Sequence, residues 1–558
     1  MAPTRVAIVG AGASGMSAAY ALSRHPDKYR VTVFDKQPFA GGMATSVDID
    51  ASKYGASYIN DGVQGCAPTF ANTMRMFREL GFNASPVGMQ ISFSKGEDFW
   101  SNVFPSPLTE QFREDIKKFG KVLGIIKKAE VLFAFVPVHA MLRMFRFSND
   151  FGEKMVYPLV ALFFGTGNQT PYISCAILER VFKDPSMKLF EFSEDSLLAS
   201  IPTMLAFPKL RDVYLAWQRA TESTSAVSFM LGYEVTAVLS RKTHAVMLEY
   251  KSPDSDSLTR ETFDELILAC DADTALKLLG REASWMERRV LGSVKYLYDV
   301  TITHDDLSYM KRHYETAFDE SLAADSAPDD QVRFAKEKFR PLYYTMQYPE
   351  DRSKIEMSFD LTHYQPQFRG ERPAGPEATR EDDFEVRLPR ESGASESTAA
   401  DHVAREAQDG KHAEHGADAR TGKDDEGQSE PPLDRHVFQT IFLDRDGSSH
   451  LWTESEIPQE HRIYEKWWKQ QSHRWQHYAK VVPWMMFING KHHTQYAGAW
   501  SVLNMHELAV TSGFSAAYRL GAGFPFKGDE ECERLFKLYL GLSHGSRMRK
   551  EDRKGFFG

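Results

Sequence analysis

No run of about 20 apolar residues, the length a helix needs to cross a bilayer, occurs in this 558-residue sequence. The most aliphatic stretch, Val131–Leu142, has 12 residues and contains a Pro and a His. Met155–Ile177 is uncharged, but Pro158, Gly165, Gly167, Asn168, Gln169 and Pro171 interrupt it. Cysteine is also scarce. Cys66, Cys175, Cys270 and Cys532 lie far apart with no Cys-x-x-Cys spacing. That excludes a disulfide scaffold and suits buried thiols in a reducing compartment. The residues before the first strand, which starts at Arg5, are too few and too polar for a leader's apolar region. A cytoplasmic protein is therefore expected. There is no basic excess: 67 Lys and Arg face 77 Asp and Glu, a net charge of −10. Nucleic acid is not an expected partner.

Apolar residues are nearly missing from one long segment, residues 367–435. Between Phe368 and Arg435 it holds 10 Lys/Arg and 18 Asp/Glu, which carries most of the net charge. Such a chain cannot bury enough surface to offset its ordering entropy, so a disordered acidic insertion is expected, with a partner-binding loop as the second reading. No metal site is expected. His402, His412 and His415 sit in this solvated segment, and adjacent residues such as His492 and His493 on a strand point to opposite faces.

What is present begins at residue 5. The apolar strand Arg5-Val-Ala-Ile-Val runs into Gly10-x-Gly12-x-x-Gly15, a helix-forming run follows, and a second strand ends at Asp35-Lys36. Gly10 permits the tight turn, Gly12 lets backbone approach a pyrophosphate, and Gly15 lets helix and strand pack. Ala13, Ser14 and Gly15 would present helix N–H groups to phosphate. Asp35 lies 20 residues after Gly15, where a carboxylate accepts ribose hydroxyls. A bound dinucleotide is expected.

Three further segments indicate which one. The first is Gly41-Gly42-Met43-Ala44, followed by Asp61-Gly62-Val63-Gln64. The second is the strand around Val235, with the return strand and helix from Phe263 to Leu279. The third is Gln495-Tyr496-Ala-Gly498-Ala-Trp500, followed by His506-Glu507-Leu508-Ala509-Val510-Thr-Ser512-Gly513. In this order they resemble the FAD-dependent amine oxidase superfamily, which includes phytoene desaturases and protoporphyrinogen oxidases. They come nearest to its amine-oxidase-like proteins associated with cyclopropane-fatty-acid synthases. The sequence departs at Leu508, where that family has Gly.

The resemblance implies an α/β chain with a Rossmann-like FAD-binding domain of the glutathione-reductase type, interleaved with an α+β substrate domain. The expected boundaries are 1–85, 205–295 and 485–545 for FAD, and 86–204 and 296–484 for substrate. It implies FAD contacts from Gly10, Gly12, Ala13, Ser14, Gly15, Asp35, Lys36, Gly41, Gly42, Met43, Ala44, Gly62, Val63, Gln64, Val235, Gly498, His506, Glu507, Ala509 and Val510. Residues 480–497 contain no Cys, where some amine oxidases attach flavin, so FAD is expected to be non-covalent.

The family places few obligate side chains over the ring. His506, Gln64, Tyr496 and Trp500 are the catalytic candidates, with His506 able to move protons near neutral pH. Met505 stands where amine oxidases carry an aromatic of the amine cage, which favours a hydrophobic substrate. The implied reaction is hydride abstraction, with O2 or another acceptor reoxidising FAD. The alternatives are redox-neutral isomerisation of polyunsaturated fatty acids, oxidation of small amines, and flavin binding without turnover. Lys117, Lys118, Lys121, Lys127, Lys128, Arg143 and Arg146 flank the aliphatic 131–142 run. Core packing is the first reading there, an apolar substrate channel the second and peripheral membrane contact the third.

Overall fold

A computed structural model describes residues 2–164, 168–184, 188, 190–198, 201–242, 245–253, 257–369 and 431–552. Its first layer is a five-stranded parallel sheet. The order across it is Val227–Leu231, Tyr29–Asp35, Thr4–Val9, Glu265–Leu268, Thr494–Tyr496. Val6 to Val9 are all buried, as expected for a strand covered on both faces. Chain order reverses beside Thr4–Val9, and ligands of open α/β sheets bind in the crevice at that switch point.

The crossover helix Ala13–Ser23 is buried along its whole length of 11 residues. Its small side chains explain how. One face meets the sheet and the other meets the helix His506–Leu520. A Cβ on Gly513 would lie 2.0 Å from the Ser14 carbonyl oxygen, so the two helices touch backbone to backbone there. Behind the sheet, the meander Glu234–Lys242, Ala245–Lys251 and Leu258–Phe263 and the helices Ala272–Leu279 and Trp285–Leu291 share a second apolar core with it.

A seven-stranded sheet forms the other layer. Its order is Arg462–Gln471, Tyr296–His304, Phe438–Phe442, Asp351–Asp360, Tyr343–Tyr348, Ile91–Phe93, Trp100–Ser101. Pairing fixes which residues share a face. Tyr343, Phe359, Gln439, Thr303 and Tyr464 form one row, and Thr345, Met357, Ile441, Thr301 and Lys466 form the next. This face is apolar around Tyr343, Phe359, Met357 and Ile441 and polar around Thr301, Thr303 and Lys466. The opposite face packs Val300, Ile302, Tyr344, Phe438 and Phe442 into a separate core.

The acidic segment begins and ends in ordered structure, which narrows the expected disorder at both ends. Pro366–Arg369 and Leu433–Arg435 are short 3-10 turns, and Phe368 is buried. The His436 imidazole pairs with Asp360 at 2.7 Å where the two flanking strands meet. Residues 370–430, including His402, His412 and His415, lie outside the described residues.

Helix Tyr157–Phe164 packs on this sheet, and helices Arg113–Lys128 and Cys175–Lys183 pack on each other, with Val138–Met144 in the same core. The core reading of 131–142 holds for Val138, Met141 and Leu142. It fails for Val131 and Leu132, which are 77% and 72% exposed, and for Phe135. These three sit at a helix-to-helix corner where the chain bends away from its packing face. Among the described residues no helix is long and apolar enough to cross a membrane.

Candidate functional site

The site is built where two helices begin. Gly10 ends its strand at φ +111°, and its N–H donates to the Phe34 carbonyl at 2.7 Å. The Ala11 N–H donates to Asp35 Oδ2 at 2.7 Å and the Gln37 N–H to Asp35 Oδ1 at 2.8 Å. Burial raises the Asp35 carboxyl above its ordinary value, opposed by these two bonds. Each oxygen keeps a lone pair, so the carboxylate can still accept from a diol. Lys36, next to it, is exposed.

Beyond Gly12 the chain leaves room. A Cβ there meets only the Gly42 Cα, at 3.8 Å. A Cβ on Gly15 would lie 1.8 Å from the Gly10 carbonyl oxygen. Gly15 is therefore closed by the fold itself, whereas Gly12 faces space. Gly41 and Gly42 have positive φ and fold over Gly12, held by the Gly41 N–H on the Ala11 carbonyl at 2.9 Å. Met43 and Ala44 continue this turn, and the Met43 carbonyl would lie 2.2 Å from a Cβ on Gly62. The N–H groups of Ala13, Ser14 and Gly15 make no hydrogen bond among the described residues.

The helix His506–Leu520 repeats this arrangement. Its first-turn N–H groups, on His506, Glu507 and Leu508, also make no hydrogen bond among the described residues, and Ala509 is the first to bond, to the Met505 carbonyl. The helix crosses the fingerprint helix at Gly513. Its start is therefore about 10 Å from the first, at 1.5 Å per residue. Gly498 leads into it, its N–H on Ser512 Oγ at 2.9 Å. Ser512 Oγ in turn donates to Ser14 Oγ at 3.1 Å. Two bare helix N-termini, each partly positive, thus lie about 10 Å apart at the switch point of the sheet. Val235 lies beyond Leu231, which pairs with Asp35, and Gly232, whose N–H reaches the Gln37 carbonyl.

The expected roles of several side chains are corrected here. His506 is buried. Its Nδ1 lies 3.0 Å from Thr73 Oγ1 and its Nε2 2.8 Å from the Tyr214 hydroxyl, with Phe77 and Phe207 edge-on to the ring. Burial lowers its pKa to about 4. Both nitrogens are engaged and the ring is neutral at neutral pH, so it is not placed to exchange protons with a substrate. It acts as a post instead: the Tyr214 ring it holds packs under Gly41, where a Cβ would lie 3.7 Å away.

Tyr496 points behind the sheet. Its hydroxyl donates to Glu287 Oε1 at 2.5 Å, and Arg241 bonds both Glu287 oxygens at 2.7 and 2.8 Å. Trp500 is buried with its Nε1 on the Cys270 carbonyl at 3.0 Å. Neither side chain faces the crevice. The Glu507 carboxylate faces away too. It accepts from the Asn72 and Thr73 N–H groups at 2.9 and 2.7 Å and so caps the helix Ala71–Glu79. Val510 is in the core, and Ala509 is half-buried.

Gln64 reaches across to the seven-stranded sheet. Its Nε2 donates to Gln439 Oε1 at 2.8 Å, while its own Oε1 is buried with no hydrogen-bond partner. Burial pushes the nearby Cys66 thiol well above its ordinary value. Sequence reasoning missed Lys466. Its ammonium lies on Asp61 Oδ2 and Thr45 Oγ1, both at 2.8 Å, and 4.1 Å from the Trp468 ring centroid. This pair ties the polar side of the seven-stranded sheet to the two loops over Gly12. The signal available was Asp61, an acid inside a glycine turn, and the alternation of Lys466 with Trp468. Among the described residues no cluster of His, Cys, Asp or Glu could hold a metal.

The post reading of His506 has a measurable consequence. Its folded pKa lies below the ordinary 6.5, so the stability it contributes is complete above pH 6.5 and is lost as pH falls through about 4. His506→Leu strands the buried Tyr214 hydroxyl, at about 1–3 kcal/mol, and leaves Thr73 Oγ1 with Glu507 as its partner. The expected result is a lower melting temperature and weaker cofactor retention, with an unchanged shape of the turnover pH profile between neutrality and mild acid. A proton-handling histidine would instead remove an ionisation from that profile.

Residues 8–80 match the family model of an NAD(P)-binding Rossmann-like domain. No curated protein matches the sequence. Solved structures match in fold. A CLA-producing fatty acid isomerase from P. acnes is 12% identical with a TM-score of 0.55, over 93% of this chain and 99% of its own. Cyclohexylamine oxidase from Brevibacterium oxydans is 12% identical with a TM-score of 0.51, over 93% and 99%. A mutant of putrescine oxidase is 12% identical with a TM-score of 0.53, over 93% and 98%. The expected resemblance to the amine oxidases therefore holds at the level of fold: the chain is a mixed α/β protein with a Rossmann-like domain and the architecture of these enzymes.

Proposed function

We propose that this chain is an FAD-dependent oxidoreductase acting on a hydrophobic organic substrate. The observation that carries the reading is the pair of bare helix N-termini near Asp35, at the switch point of the sheet. The residues fit the group. Gly12 offers the room a diphosphate needs, Asp35 has acceptor capacity for a ribose, and the His506 helix offers N–H groups to an electron-rich ring edge. When bound, a flavin supplies a two-electron acceptor.

The chain's own residues would then orient substrate and exclude water. In the apolar half of the sheet face, Met357 is buried in the main core and Tyr343, Phe359 and Ile441 pack partly buried against it. This half lies on the same face as Gln439, the partner of Gln64. We assign this strip as the substrate wall and the Gln64–Gln439 amide pair as its polar end, with Lys466 and Asp61 holding the cofactor loops closed. No charged side chain stands among those four residues, which favours an apolar substrate over a small amine. Cofactor attachment is taken as non-covalent, and O2 or another acceptor as the oxidant.

The second reading is a redox-neutral isomerase of polyunsaturated fatty acids. The same apolar strip supports it, and one of the matching folds is a CLA-producing fatty acid isomerase. Anaerobic mixing with polyunsaturated fatty acids, alcohols and amines separates the readings. An oxidoreductase leaves bleached flavin, an isomerase forms product with oxidised flavin, and a binding protein does neither. Across a homologous series, each methylene buried should tighten binding by about 0.8 kcal/mol, roughly fourfold. Fast bleaching by small charged amines, with no response to long-chain compounds, would replace this proposal with an ordinary amine oxidase.

A further inference from the structure

The helical segment beside the seven-stranded sheet carries a surface that the fold leaves uncovered. Ile125, Val131, Leu132, Phe135 and Met144 are all exposed, within 20 residues of chain. They belong to one patch. The Phe133 and Phe145 rings stack at 6.2 Å, which sets the 131–135 corner against the end of the helix Val138–Met144. Lys118 joins the far edge, its ammonium on the Arg146 carbonyl at 2.9 Å and 4.4 Å from the Phe147 ring centroid.

The charge around this patch runs against the rest of the molecule. From Arg113 to Arg146 there are eight Lys/Arg and three Asp/Glu, a balance of +5 in a chain of net −10. Lys121, Lys127, Lys128, Arg143 and Arg146 are exposed. Two of the three acids are already paired, Glu114 with Lys117 and Glu130 with Arg180. Large exposed aliphatic and aromatic side chains inside a basic rim have the chemistry of an interfacial contact. The apolar groups enter the acyl boundary while lysines and arginines stay at the headgroups. Unlike charges favour an acidic headgroup over a neutral one.

We propose that residues 117–146 form a docking surface for an anionic lipid bilayer. The contact is peripheral, made by the corner at Val131, Leu132 and Phe135. It does not depend on the oxidoreductase reading, although it would bring an apolar substrate to the protein.

The test is co-sedimentation of the intact, purified protein with vesicles of phosphatidylcholine alone or of phosphatidylcholine mixed with phosphatidylserine. Binding should be at least about tenfold stronger to the mixed vesicles and should weaken at high salt. The triple variant Val131→Ser, Leu132→Ser, Phe135→Ser alters exposed positions. It should keep the wild-type melting curve and lose binding about tenfold or more. Lys127→Glu with Lys128→Glu should lose the preference for phosphatidylserine. Equal binding to both vesicle types, or a triple variant that binds like wild type, would overturn the proposal. So would a wild-type dimer in size-exclusion chromatography that the triple variant abolishes, because the patch would then belong to a second copy of the chain.

Discussion

Gly12→Val protein is expected to fold and to purify in normal yield without flavin. Its φ of −74° is open to any L residue, and the nearest atom to a new Cβ is 3.8 Å away. The valine would stand over the first-turn N–H groups of Ala13 to Gly15, in the space a diphosphate needs. Flavin absorbance per mole of protein should fall to near zero, while circular dichroism and the melting transition stay close to wild type. Gly15→Ala is the matched control. Its methyl would collide with the Gly10 carbonyl at 1.8 Å, so that protein should fail to fold. A Gly12→Val protein that stays yellow at full occupancy would remove the crevice as the cofactor site.

The second large effect lies behind the sheet, away from the proposed cofactor site. Arg241 and Glu287 are an enclosed ion pair, each side chain 1% exposed, with the Tyr496 hydroxyl as a third member. Burial pushes the Glu287 carboxyl up. Bonds from Arg241, Tyr496 and the Ser284 backbone outweigh it and bring the pKa down to about 2. Glu287→Ala leaves a guanidinium without its counter-charge in the core, and breaking such a pair costs about 3–5 kcal/mol. The denaturant midpoint should drop accordingly at neutral pH. The folded pKa lies below the ordinary 4.5, so this contribution is complete above that pH and is lost as pH falls through about 2. The gap between variant and wild type should therefore narrow in acid. Replacing Arg241 and Glu287 together with apolar residues should recover much of the loss. An unchanged midpoint for Glu287→Ala would show that the pair holds nothing together.

These two sites also mark where sequence reading succeeds and where it stops. The backbone of the crevice was legible because its demands are local. Gly10, Gly12 and Gly15 answer to a turn, an approach and a contact within one strand–helix unit, and Asp35 ends the next strand. Side-chain direction was not legible, because distant residues decide it. His506 is held by Thr73 and Tyr214, which are 433 and 292 residues away in the chain. Tyr496 turns toward Glu287 across 209 residues. A motif places such residues beside a cofactor in sequence, but the side chain follows its hydrogen-bond partner. Lys466 was missed for the same reason. Only pairing of Arg462–Gln471 with Tyr296–His304 shows that it shares a face with Gln439 and reaches Asp61, 405 residues away.

The edge strand Thr494–Tyr496 has a consequence for synthesis. The first strand, Thr4–Val9, leaves the ribosome early. The parallel sheet and the helix crossing at Gly513 need segments made after residue 490. At about 5–20 residues per second, roughly half a minute to a minute and a half separates the two. During that interval the outer edge of the Glu265–Leu268 strand and the all-buried helix Ala13–Ser23, which packs on His506–Leu520, lack their final partners and present apolar surface. Nascent chains should therefore recruit holdase chaperones once the helix Ala13–Ser23 has emerged, and cofactor capture should wait until the helix His506–Leu520 has been made.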